Sequence, residues 1–87
     1  MKMRKEIIEQ IYKGALKLLK DYDDDPRYDD VAYPPGIILN GYGTVLANGR
    51  QYYIEFKWIP SYPSLLKELK VKMQGKLYDL SEMEKTI

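Results

Sequence analysis

With no histidine and no cysteine, the chain's chemistry rests on its carboxylates, tyrosines and lysines. The densest carboxylate group is Asp21, Asp23, Asp24, Asp25, Asp29 and Asp30, in a stretch that also holds Tyr28 and Tyr33. Asp21, Asp23 and Asp25 alternate like the leading ligands of a calcium-binding loop. The pattern fails further on, because Pro26 stands where that loop needs a glycine for its turn and Ala32 where a bidentate glutamate closes the shell. No metal or other cofactor is therefore expected. The segment offers instead a concentrated negative surface with tyrosine anchors, which suits a basic protein partner. The residues expected to make that contact are Asp23, Asp24, Asp25, Tyr28, Asp29, Asp30 and Tyr33.

A second grouping is Tyr42 and Tyr53 with Lys57, Lys70 and Lys72. Rings beside cations stack bases and neutralise phosphates on single-stranded nucleic acid. The same residue types also occupy ordinary solvated strand faces, where tyrosine fits the pleat and lysine guards against edge pairing. A formal net charge of +1 gives little long-range attraction for a polyanion, so protein is the leading partner, with nucleic acid as one alternative and a self-assembling structural subunit that needs no ligand as the other. Ser61, Ser64, Ser81 and Thr44 have no imidazole to take their proton, and the carboxylates form no recognisable acid and base pair. No catalytic residue is expected, and the chain reads as a non-enzymatic module.

Residues 4–21 are expected to form an amphipathic helix. At 100° per residue, Ile7, Ile8, Ile11, Tyr12, Ala15, Leu18, Leu19 and Tyr22 fall within an arc of about 140°, opposite Glu9, Lys13, Lys17 and Lys20. The aspartate run repels the negative end of the helix dipole, so the helix should stop near Asp21 or Tyr22. Gly14, at the edge of the apolar stripe, points to another element approaching the backbone closely. Residues 22–36 are then an acidic loop rich in turn formers.

Residues 37–59 carry the strongest strand signal. Asn48-Gly49 is the favoured pair for a two-residue hairpin turn, and it sets Ala47 opposite Arg50, Val45 opposite Tyr52 and Gly43 opposite Ile54. Val45, Tyr52, Ile54, Phe56 and Trp58 then share the face toward the helix, while Tyr42, Thr44, Leu46, Gln51, Tyr53, Glu55 and Lys57 share the other. Residues 65–74 fit either a strand or a short helix; the alternation from Glu68 to Gln74 favours a strand, returning through Gln74-Gly75 into a strand over 76–80. In the tail 81–87, Ser81-Glu82-Met83-Glu84 has the form of a capping box, which allows a short C-terminal helix.

The expected architecture is thus α+β: an N-terminal amphipathic helix packed on an antiparallel meander of three or four strands, in one domain of 87 residues. No apolar run approaches the ~20 residues of a membrane span. Glu6, Glu9 and Lys13 occupy the place of a leader's apolar core, so a cytoplasmic location is expected. Open strand edges and a small core make a homodimer the expected assembly.

Overall fold

The computed structural model describes residues 2–25, 33–60 and 64–86. Strand β1 (Lys2–Arg4) leads into helix α1 (Lys5–Asp24); β2 (Leu39–Ala47), β3 (Arg50–Ile59), β4 (Leu65–Met73) and β5 (Lys76–Asp79) follow, then a 3-10 turn (Leu80–Glu82) and β6 (Glu84–Thr86). The meander β2-β3-β4-β5 forms one four-stranded antiparallel sheet with α1 across one face, so the fold is α+β.

Two of the three hairpins, β2-β3 and β4-β5, close through two-residue turns that end in glycine. Asn48 and Gly49 have φ of 51° and 76°, Gln74 and Gly75 of 52° and 78°, the paired left-handed conformations of a type I′ turn. The first turn fixes Ala47↔Arg50, Val45↔Tyr52 and Gly43↔Ile54 as the sequence predicts. It is also tied to the helix: Asn48 N–H donates to Gln10 Oε1 (2.9 Å), and Asn48 Nδ2 donates to Glu6 Oε1 (3.0 Å). Asn48→Ala should cost roughly 1–2 kcal/mol in a denaturant titration, since alanine is strained at this φ and, although its backbone N–H still reaches Gln10, it loses the Nδ2 bond to Glu6 and the Oδ1 bond from Gln10. Asn48→Gly, which removes the strain but not the lost tether, should cost less.

Ile8, Ile11, Ala15 and Leu19 of α1 are buried against Val45, Ala47, Ile54, Phe56, Trp58, Leu69 and Val71, and Met3, Leu80 and Met83 close the end of this core. Two glycines let helix and sheet approach. A Cβ on Gly14 would lie 2.6 Å from Val45 Cγ1, and one on Gly43 would lie 2.8 Å from Leu18 Cδ1. The close approach expected at Gly14 is thus real, and β2 is what approaches.

Several expectations are corrected. The helix begins at Lys5 rather than residue 4 and ends at Asp24, past the aspartates expected to stop it. The dipole penalty is small beside the contacts of the last turn. Tyr22 packs at 5.2 Å from the Trp58 ring and 6.2 Å from Phe56, and Ser64 Oγ donates to Asp23 Oδ1 at 2.7 Å. Asp23 and Asp24 are therefore helical, not part of a loop over 22–36, and Asp25 is the C-cap. The strand favoured over 65–74 is present as Leu65–Met73; the unexpected feature is a register shift opposite Lys57 and Trp58 that leaves Lys67 outside the pairing. The next strand stops at Asp79 instead of residue 80. In place of a C-terminal helix stands the 3-10 turn, capped by Asp79 Oδ1, which accepts from Ser81 N–H at 2.9 Å and Ser81 Oγ at 2.7 Å. After it, β6 pairs in parallel with β1, Lys2 opposite Glu84 and Arg4 opposite Thr86. This pairing of the two ends of the described chain was not foreseen: three residues are too few for an alternating pattern to identify a strand.

Candidate functional site: the open face of the sheet

One face of the sheet is covered by α1; on the other, no element among the described residues packs over the strands. Alternation sends Tyr42, Thr44 and Leu46 of β2, Tyr53, Glu55 and Lys57 of β3, Glu68, Lys70 and Lys72 of β4 and Leu77 of β5 to that open side. All five residues of the second sequence grouping, Tyr42, Tyr53, Lys57, Lys70 and Lys72, are brought together there.

The centre of the face is aromatic and apolar. The Tyr42 and Tyr53 rings lie 6.4 Å apart at 34°, and Lys72 Nζ sits 5.8 Å from the Tyr53 ring centre, within reach of a cation–π contact. Tyr42 is 68% exposed, Leu46 65% and Leu77 42%, a large share of apolar surface for positions outside the core. Local desolvation, with the nearby charge of Glu55, pushes the Tyr53 hydroxyl above the usual tyrosine value.

The charges beside this centre neutralise one another. Glu68 holds Lys70 Nζ at 3.2 Å and Lys57 Nζ at 3.6 Å, while Glu55 stands between Tyr42 and Lys70 in the register and Asp79 opposite Lys70. Lys57 and Lys70 are thus engaged with a carboxylate instead of presenting bare charge to phosphates. Asn40, Glu55, Lys57, Glu68, Lys70 and Leu77 ring a shallow depression floored by Gly41 and Phe56.

Comparison with family models, with curated proteins and with solved structures gives no match.

The acidic grouping fares differently. Asp23 and Asp24 lie in the last turn of α1, Asp25 caps it, Tyr33 is half-buried, and Tyr28, Asp29 and Asp30 lie outside the described residues. With Asp21 and Asp23 on a helix, the alternation that resembled a calcium loop is not on a loop at all, and no cluster of His, Cys, Asp or Glu among the described residues is arranged to hold a metal. No helix among them is long and apolar enough to cross a membrane. Neither of the two leucines of the open face, Leu46 and Leu77, was singled out as a candidate site residue from sequence, nor was Glu68, which pairs with its lysines. The signal for Leu46 was present, since the Asn48-Gly49 turn places it on the same side as Tyr42; Leu77 depended on the strand at 65–73 being established first.

Proposed function

We propose that the chain is a cytoplasmic, non-enzymatic protein-binding module whose contact surface is the open sheet face, centred on Tyr42 and Tyr53. The observation that carries this reading is a pair of exposed, mutually packed tyrosines flanked by exposed Leu46 and Leu77 on a rigid sheet, with internally neutralised charge around them. Interface cores favour tyrosine because it contributes large contact area at little entropic cost, with charged residues kept to the rim. The face replaces the acidic segment as the leading contact, because a mixed-charge rim with an aromatic centre needs no strongly basic partner.

A nucleic-acid reading keeps one observation in its favour, Lys72 over the Tyr53 ring, and two against it, the Glu68 contacts of Lys57 and Lys70. A single experiment separates the readings. A photo-crosslinking residue is placed at Tyr42, and in a parallel variant at Lys13 on the exposed side of α1, in cells making the protein. Adducts at position 42 and not at 13 with proteins other than a second copy of the chain are the expected result, and adducts at 42 with a second copy alone would refute the protein-binding reading. Adducts that nuclease digestion removes would transfer the face to nucleic acid, and equal labelling at both positions would refute the assignment of the face.

A further inference from the structure

The two edges of the four-stranded sheet are built differently. On one side β5 is only four residues long and carries Lys76 and Asp79 at its ends, the short charged edge by which proteins discourage pairing with another strand. On the other side β2 runs nine residues, Leu-Asn-Gly-Tyr-Gly-Thr-Val-Leu-Ala, with no charge and no proline, in unbroken register with β3. The type I′ turn makes Ala47↔Arg50 a hydrogen-bonded pair, and the alternation of an antiparallel ladder then directs the amides of Gly41, Gly43 and Val45 toward β3. Asn40, Tyr42, Thr44 and Leu46 direct theirs outward, where no hydrogen bond to them is formed among the described residues.

We propose that this edge takes β2 of a second copy, antiparallel, about a two-fold axis at Gly43. Full overlap of the strand with itself sets Tyr42 opposite Thr44 and Asn40 opposite Leu46 of the other copy, each pair joined through the outward amides. Gly43 meets its own counterpart at a narrow, non-bonded position, where the absence of a side chain suits close approach. Leu18, half-buried over Gly43, is carried to the axis in both copies and seals the side facing the helices. On the open side the two Tyr42 residues become diagonal neighbours, so the Tyr42 and Tyr53 pairs join into one aromatic strip across the seam. The second copy is the occupant favoured here because the strand complements itself residue by residue, with no charge to repel its image. The dimer stands independently of the protein-binding reading; only the merged strip builds on it.

The test is sedimentation of the wild-type protein and of Thr44→Pro over a wide concentration range, with amide hydrogen exchange measured on the wild type. Proline at 44 removes an N–H that points away from β3, so the intramolecular ladder is kept while the outer edge is blocked. The wild type should sediment as a dimer and Thr44→Pro as a folded monomer. In the wild-type dimer the amides of Tyr42 and Thr44 should be protected alongside those of Gly43 and Val45; on dilution the first pair should lose protection and the second keep it. A wild type that stays monomeric throughout, or a dimer in which Tyr42 and Thr44 exchange freely, would overturn the proposal. Should Thr44→Pro fail to fold, the exchange pattern of the wild type decides. Loss of the dimer leaves crosslinking at Tyr42 to other proteins unaffected as a measurement, so the two readings fail separately.

Discussion

Phe56→Ala should cost about 3–5 kcal/mol and remove most of the cooperative unfolding transition. Phe56 is 2% exposed and sits in an aromatic group, 5.4 Å from the Trp58 ring and 6.2 Å from Tyr22, directly beneath the last turns of α1. Its ring also fills the space left by Gly41, where a Cβ would lie 2.7 Å from Phe56 Cζ. Truncation therefore opens a cavity that Gly41 cannot fill, and it removes the platform that holds Tyr22 and extends the helix to Asp24. Domains of this size have total stabilities of roughly 0.05–0.15 kcal/mol per residue, so a loss of that order is comparable with the whole margin. Chemical denaturation followed by Trp58 fluorescence and far-UV circular dichroism measures it. A midpoint within error of the wild type would refute the role assigned to Phe56.

Gly14→Ala separates helix propensity from packing. By propensity alone, alanine in place of an interior glycine stabilises a helix by about 1 kcal/mol. Here the new Cβ would lie 2.6 Å from Val45 Cγ1 and 2.7 Å from Val45 Cβ, and the second of these atoms is fixed to the strand backbone and cannot swing aside. The helix must lift from β2, at a cost of about 1–3 kcal/mol that exceeds the propensity gain. The expected result is net destabilisation, growing with side-chain size, so that Gly14→Leu gives little folded protein. Combining Gly14→Ala with Val45→Ala should recover part of the loss, a coupling that propensity cannot produce. Additive effects of the two substitutions, or stabilisation by Gly14→Ala alone, would show that α1 and β2 are not in the contact described.

The open face and the β2 edge share one cause. The helix covers one side of the sheet, and among the described residues no further element packs on the other side or pairs with the outer edge of β2. Tyr42 thereby belongs to both features: its ring contributes to the face, and its amide contributes to the edge. A substitution at Tyr42 that alters partner binding can thus act through either, whereas Thr44→Pro acts on the edge and Leu77 on the face.

Local patterning determined most of the architecture. The 3.6-residue stripe of α1 and the Asn48-Gly49 turn are written in contiguous residues, and the turn chemistry dictates the register of β2 on β3 to the residue. Because side chains alternate strictly along a strand, that register also determined that Tyr42, Tyr53 and Lys57 would share the face away from the helix. The acidic run was legible as composition but not as structure: its first residues became helical because Tyr22 found Phe56 and Trp58, contacts more than 30 residues away in sequence. Tertiary structure alone decided three further things. It set the parallel pairing of β1 with β6, which joins opposite ends of the described chain without a local signal. It placed Lys57 and Lys70 on either side of Glu68, so that one carboxylate is shared by two cations that composition had left available to phosphate. It also made β2 an edge, because a strand's own residues fix which way its amides point, but only the order of strands in the sheet determines whether a neighbour is there to receive them.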